Sequence, residues 1–157
     1  MTPAVTSLEQ AKLPYKLHEY DHDPANSQYG PEAAAKMAVP PERVFKTLVV
    51  ELDNGKLAVA VLPVSLSLNL KAMAKSVGAK KAHMAKPEQV ERSSGYVLGG
   101  VSPIGQKKAL PTIVDRSATE FPTIYISAGK RGLEIELASE LLCQLTNARY
   151  ESVGVSK

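Results

Sequence analysis

Residues 44–62 read VFKTLVVELDNGKLAVAVL, and this stretch decides the fold. Two runs of β-branched and other apolar residues, 44–50 and 57–62, are typical of strands. The Asn54-Gly55 pair between them suits a tight turn that requires positive φ, so the stretch predicts an antiparallel hairpin. The second run continues to Val64 without a charged residue, which indicates a strand buried on both faces.

The elements on the N-terminal side of the hairpin are two short helices and a strand. Thr2 caps a helix that begins with Pro3 and ends before Pro14. A strand over 15–20 follows, with Tyr20 at its end, and a helix over 30–37 is terminated by Pro40-Pro41.

On the C-terminal side, helices are expected over 69–78, 87–95 and from Ser139 onward. Strands are expected over 112–115, 123–127 and 133–137, and the residues after the last helix are expected to add no further unit. Because strands interleave with helices without a repeated βαβ pattern, we predict an α+β domain with a mixed, strongly curved sheet.

Composition sets the broad class of the protein. The chain has 157 residues, of which 44% are hydrophobic and 22% charged, which excludes collagen-like, disordered and disulfide-scaffold proteins and predicts one domain over 1–157. No signal peptide and no apolar run of about 20 residues occurs, so neither secretion nor a membrane partner is expected. A single cysteine, Cys143, favours a reducing compartment, by default the cytoplasm, and a monomer is the default state.

Conventional catalytic and metal-binding patterns are absent. His18, His22 and His83 lack the spacing of metal ligands, and no pattern calls for a metal or organic cofactor. Cys143 lies in the apolar repeat of the closing helix, which indicates core packing, and no GxSxG motif occurs. An enzyme with this sequence is therefore not expected to use a conventional protein nucleophile.

Lysines dominate the segment between Pro63 and Pro87, which contains no Asp or Glu. They are Lys71, Lys75, Lys80, Lys81 and Lys86. Such a set contacts nucleic-acid phosphates in some proteins and is merely a solvated surface in others. Lys107 and Lys108 either add to the positive charge of the same surface or are merely solvated.

Two glycine-rich segments and one lysine remain ambiguous from the residues alone. Gly99-Gly100-Val101-Ser102-Pro103 permits either a structural turn or close approach to a ligand, and it fits neither the Walker nor the GxGxxG motif. Residues 129–132 favour a hairpin turn over a binding loop. Lys46 interrupts an apolar strand, so its ammonium either reaches water at a sheet edge or faces a cleft.

An ordered set of motifs makes the chain resemble the YbaK/EbsC family over nearly its whole length. The motifs are Met1-Thr2-Pro3-Ala4, Tyr20-Asp21-His22-Asp23-Pro24, Phe45-Lys46-Thr47-Leu48, Gly95-Tyr96, residues 99–108 (GGVSPIGQKK) and Gly129-Lys130-Arg131-Gly132-Leu133. The resemblance implies a curved mixed sheet or partial barrel flanked by helices, like the editing insertion of prolyl-tRNA synthetase.

The same resemblance implies a deacylase that removes cysteine from mischarged Cys-tRNA(Pro) in trans, with tRNA(Pro) and prolyl-tRNA synthetase as partners. The substrate thiol would attack its own ester, so the protein need only orient and stabilise. The implied catalytic residue is Lys46, and the implied substrate-binding residues are Tyr20, Thr47, Gly99, Gly100, Val101, Ser102, Pro103, Ser127 and Glu134. Glu134 departs from the family aspartate, and Ala128 from the usual glycine.

Two alternatives remain open at this point. One is an editing deacylase for Ala-tRNA(Pro) or another small aminoacyl-tRNA, which would need water as its nucleophile. The other is a non-catalytic module that binds tRNA or the synthetase, which the lysine-rich segment favours.

Overall fold

The predicted hairpin forms the centre of a five-stranded sheet in the computed structural model, which describes residues 1–157. Its strands are β2 (Phe45–Leu52) and β3 (Leu57–Pro63), and Gly55 in the connecting turn has a φ of +82°. The order in this sheet is β5–β2–β3–β6–β9. β3 pairs with β2 antiparallel and with β6 parallel, so the sheet is mixed as predicted.

Five helices and ten strands make up the chain, together with two short 3-10 turns at 41–43 and 116–120. The helices are α1 (Pro3–Ala11), α2 (Tyr29–Met37), α3 (Leu70–Ser76), α4 (Pro87–Ser94) and α5 (Ser139–Thr146). The other strands are β1 (Lys16–Glu19), β4 (Leu66–Leu68), β5 (Ala82–Met84), β6 (Thr112–Asp115), β7 (Ile124–Lys130), β8 (Leu133–Leu137), β9 (Arg149–Glu151) and β10 (Gly154–Ser156).

Three separate sheets result. Besides the central sheet, β1, β8 and β7 form a three-stranded sheet and β10 pairs with β4. The α+β class is confirmed. None of the three sheets closes on itself, and strong curvature stays a prediction. The longest helices have 9 residues, too few to span a bilayer.

The two faces of β3 pack into different apolar clusters, as expected for a strand buried on both sides. Val59 and Val61 join the main core with residues of α1, α5, β7 and β8. Ala58, Ala60 and Leu62 join a second cluster with Met73 of α3. The central sheet therefore lies between two apolar layers.

Helix starts follow the capping residues read from the sequence. The Thr2 hydroxyl accepts from the Val5 amide at 3.3 Å, and the Asn69 side chain accepts from the Ala72 amide at 3.0 Å. Lys71 and Lys75 of α3 are exposed, and Cys143 packs against the main core.

The expectation that residues after α5 add no further unit is wrong. β9 extends the central sheet beside β6, and β10 pairs with β4. The buried carboxylate of Asp115 holds this C-terminal segment in place. Its Oδ1 accepts hydrogen bonds from the amides of Val153 at 2.9 Å and Gly154 at 2.8 Å, and its Oδ2 accepts one from the Ser117 hydroxyl at 2.6 Å.

Asp115→Ala is expected to lower the free energy of unfolding by about 2–4 kcal/mol, because it leaves buried amide donors without an acceptor. Urea denaturation followed by circular dichroism measures the change. Asp21→Ala, at an exposed carboxylate, is the control and is expected to change it by no more than about 0.5 kcal/mol. Equal effects of the two substitutions would contradict the role given to Asp115.

Candidate active site

A cavity of about 410 Å³ opens where the first half of β2 meets α2, the glycine-rich loop and the β7–β8 hairpin. Seven of the ten predicted site residues line it: Tyr20, Lys46, Thr47, Gly99, Val101, Ser127 and Glu134. Gly100, Ser102 and Pro103 do not line it. These three are buried in the loop behind the wall.

Lys46 and Thr47 are neighbours in β2, so their side chains project to opposite faces of the strand. The Lys46 ammonium is half-buried and donates to the Leu66 carbonyl at 2.6 Å, on the side of the second apolar cluster. Burial, together with the charge of Lys157, lowers the pKa of Lys46. Lys46 therefore borders the cavity at a point where β2 has no second neighbouring strand.

The Thr47 hydroxyl is buried and has no hydrogen-bond partner. It lies on the same face of β2 as Phe45 and Val49, which belong to the main core. A buried hydroxyl without a partner costs free energy, and such a group in a cavity wall is available to a ligand.

Ser127 and Glu134 are opposite each other in the β7–β8 pair, which places their side chains on the same face of that sheet. The Ser127 hydroxyl accepts from the Gly129 amide at 3.1 Å. Glu134 is 7% exposed, and burial raises the pKa of its carboxyl group to about 8. At neutral pH this side chain is mostly a neutral acid, which can donate a hydrogen bond as well as accept one.

Tyr20 follows β1 directly, and its amide donates to the Gly132 carbonyl at 3.0 Å. Burial, and the negative charge of an ionised Glu134, raise the pKa of Tyr20. The loop that leads from Tyr20 to α2 is fastened by Glu32, whose carboxylate binds His22 Nδ1 at 2.6 Å and the Asp23 amide at 2.8 Å. His22 is therefore a loop residue with local hydrogen bonds, as expected.

The glycine-rich loop is held against the β7–β8 turn by Arg131. The guanidinium donates to the Leu98 carbonyl through Nη2 at 2.6 Å and lies 4.6 Å from the centre of the Tyr29 ring. Gly99 has a φ of +86°, and a Cβ there would lie 2.5 Å from Arg131 Nε, so only glycine fits. The turn at 129–132 is thus both a hairpin connection and a brace for the cavity wall.

Tyr29 and Leu98 line the cavity, and Arg131 braces it, but the sequence did not single out these three residues for the site. Their roles arise from contacts between distant segments, and no local pattern announces such contacts. The only available signal was the position of Arg131 inside the Gly129–Gly132 motif.

The lysines between Pro63 and Pro87 are all exposed. Met84, Ala85 and Pro87, from the end of the same segment, line the cavity. The basic surface therefore adjoins the cavity. His83 is exposed and pairs with Glu51 at 3.0 Å, and no three His, Cys, Asp or Glu side chains are grouped as a metal site requires.

Comparison with known proteins identifies the class. The family model described as "Aminoacyl-tRNA editing domain" matches residues 26–145, and the chain belongs to this family. Its activity class is that of an aminoacyl-tRNA deacylase, and the resemblance to the YbaK/EbsC family is confirmed.

Among its relatives is an Enterococcus faecalis protein named "Putative Cys-tRNA(Pro)/Cys-tRNA(Cys) deacylase EbsC". The two are 40% identical over 97% of this chain and 92% of the relative. Proline–tRNA ligase of Geobacillus sp. (strain WCH70) is 23% identical over 84% of this chain, which matches 23% of the ligase.

Solved structures share the fold. One, described as "hypothetical protein APE2540", superimposes with a TM-score of 0.87 at 24% identity over 98% of this chain and 99% of that one. Another, described as "a putative trans-editing enzyme for prolyl tRNA synthetase", gives a TM-score of 0.85 at 23% identity over 98% of this chain and 96% of that one.

Glu134→Gln is expected to stabilise the protein relative to wild type as the pH rises from about 4.5 to about 8. Because burial raises the pKa of Glu134 from 4.5 to about 8, the folded protein holds a proton that the unfolded chain has lost in this range. The wild type then loses up to about 1.4 kcal/mol of stability per pH unit through this group, whereas Gln loses none. Urea denaturation of both proteins at pH 5, 6.5 and 8 measures the difference.

The control for this prediction is Glu120→Gln, at an exposed carboxylate. Its stability difference from wild type is expected to vary little over the same pH values. A Glu134→Gln difference that stays constant from pH 5 to 8 would contradict the burial of an acid at this position.

Proposed function

We propose that this protein removes cysteine from Cys-tRNA(Pro) in trans, acting as a single editing domain over residues 1–157. The observation that carries the proposal is the cavity, in which seven residues singled out by the family resemblance meet. Family membership and the printed name of the Enterococcus faecalis relative support the choice of substrate.

The proposed reaction uses the thiol of the substrate as its nucleophile. The sulfur attacks the carbonyl carbon of its own ester, a C–S bond forms, and the bond to the ribose oxygen breaks as that oxygen takes the thiol proton. The product is a cysteine thiolactone, which water then hydrolyses. This route is consistent with the cavity lining, which contains no Cys or His, and with Cys143 lying outside the lining.

Charge that develops on the ester is stabilised by Lys46 and by the amides of Gly99 and Val101, the two residues of the Gly99–Pro103 loop that line the cavity. The Lys46 ammonium carries three donors and uses one on Leu66, so two remain for the substrate. Tyr20, Ser127 and the neutral Glu134 hold the aminoacyl or adenosine group. Positioning of this kind is sufficient for an intramolecular attack, because the reacting atoms belong to one molecule.

The tRNA body is assigned to the basic surface beside the cavity. Lys80, Lys81 and Lys86 are exposed next to the wall formed by Met84, Ala85 and Pro87. Lysines in this position neutralise phosphates near the acceptor end, which makes affinity depend on salt. Prolyl-tRNA synthetase is the proposed partner that supplies tRNA specificity, and the proposed setting is the cytoplasm, with the protein acting as a monomer that needs no cofactor.

Cys-tRNA(Pro) is expected to be deacylated much faster than Ala-tRNA(Pro), because alanine has the same main chain without the thiol. Release from both substrates by purified protein at one salt concentration measures the ratio, and mass spectrometry of the early products identifies the thiolactone. Preference for alanine would assign the protein to deacylases that use water. Binding without release from either substrate would make it a tRNA-binding module.

Lys46→Ala is expected to lower kcat/KM for Cys-tRNA(Pro) by about 100-fold, the loss typical of removing one group that stabilises developing charge. Lys56→Ala, at an exposed lysine of the β2–β3 turn outside the basic surface, is the matched control and is expected to stay within about 3-fold of wild type. Wild-type rates in the Lys46 variant would remove this residue from the mechanism.

A further inference from the structure

Strand β2 lacks a second neighbour along the part that borders the cavity. On one side it pairs with β3 over its length, from Phe45 opposite Pro63 to Glu51 opposite Leu57. On the other side β5 covers only residues 50–52, the Ala85 amide reaches the Val49 carbonyl at 3.0 Å, and a single bridge joins Val44 to Tyr125. Thr47 lies in the gap between the Ala85–Val49 hydrogen bond and the Val44–Tyr125 bridge.

The hydrogen-bond alternation of antiparallel strands determines which main-chain groups face this gap. The Val64 amide donates to the Val44 carbonyl at 2.8 Å, so Val44 is a hydrogen-bonded position of the β2–β3 ladder. Every second residue of β2 is likewise hydrogen-bonded to β3. The main-chain N–H and C=O groups of Lys46 and Leu48 therefore point toward β3, and those of Thr47 point away from it. No strand pairs with Thr47 on that side, and it lines the cavity.

Thr47 therefore directs three polar groups toward the cavity. They are its amide N–H and its carbonyl, which no strand pairs on this side, and its buried hydroxyl, which has no hydrogen-bond partner. An unpaired main-chain donor and acceptor of one residue form the template to which another strand adds.

We propose that the main chain of Thr47 binds the aminoacyl end of the substrate as if that end were one residue of an added strand. An aminoacyl ester has an α-ammonium and a carbonyl on either side of one carbon, the arrangement of N–H and C=O in a residue. The Thr47 amide donates to the ester carbonyl, and the Thr47 carbonyl accepts from the α-ammonium. This inference rests on the proposed function and adds a binding subsite to it.

Two consequences follow from this geometry. The bond from the Thr47 amide strengthens as the ester oxygen gains negative charge, so it favours the transition state over the bound substrate. Directly opposite residues in an antiparallel pair place their side chains on the same face. The side chain of an L-aminoacyl group therefore lies on the face of the Thr47 hydroxyl, and Lys46 projects from the other face.

The direct test replaces Thr47 by its α-hydroxy acid analogue, 2,3-dihydroxybutyric acid, which keeps the side chain and exchanges the N–H for an ester oxygen. We expect kcat/KM for Cys-tRNA(Pro) to fall about 3- to 10-fold or more, the loss of one hydrogen bond. The Thr47 amide makes no bond to β3, so the fold is expected to survive, which circular dichroism checks. An unchanged kcat/KM overturns the inference.

A second measurement uses the wild-type protein and so does not depend on folding of the variant. Amide hydrogen exchange is followed by NMR with and without 3′-deoxy-3′-(L-cysteinylamino)adenosine, an analogue with an amide in place of the ester. Exchange at Thr47 is expected to slow at least about 10-fold at saturation, as an amide without a strand partner becomes hydrogen-bonded to the analogue. The Leu48 amide, which faces β3, is the internal control and is expected to change less.

Unchanged exchange at Thr47 in the saturated protein overturns the inference. Failure of this inference can be distinguished from failure of the proposed function. A wild-type protein that releases no cysteine overturns the proposed function, whereas an active protein with an unprotected Thr47 amide overturns only the binding subsite.

Discussion

The site depends on one constraint: β2 has two neighbours over its second half and one over its first. β5 stops at Met84, and the one main-chain bridge to the sheet of β7 and β8 joins Tyr125 to Val44, the residue before β2. The space between them is the cavity, and α2 and the glycine-rich loop supply its remaining walls. A longer β5 would pair with Thr47 and fill the gap, so the early end of this strand is as important as any side chain.

The cavity is apolar enough to move its ionisable groups toward their neutral forms. Burial raises the pKa of Glu134 to about 8 and lowers the pKa of Lys46. In such surroundings hydrogen bonds from main-chain groups and hydroxyls are stronger than in water. Because the fold already holds these groups in place, little energy is spent on reorienting them during the reaction. A reaction whose nucleophile arrives with the substrate needs this environment more than it needs a reactive protein side chain.

Sequence patterns predicted the elements that are determined by interactions between residues close together in the chain. The 44–62 hairpin, the caps at Thr2 and Asn69 and the positive φ of Gly55 follow from periodicity and turn chemistry. The strands β4, β5, β9 and β10 were missed because each has three residues, too few to show alternation. The brace of Arg131 on Leu98 and Tyr29 was missed because 33 residues separate Arg131 from Leu98, and only the fold joins them.

Adjacent residues of a strand face opposite sides, so a site that uses both Lys46 and Thr47 has to reach around the edge of β2. This is possible only where the strand is open, because a second neighbouring strand would separate the two faces. The same opening explains why a lysine is tolerated in an otherwise apolar strand, since its ammonium reaches the Leu66 carbonyl at the rim and is not enclosed in the core. The unpaired main chain, the lysine on one face and the orphan hydroxyl on the other are thus three results of a single gap in strand pairing.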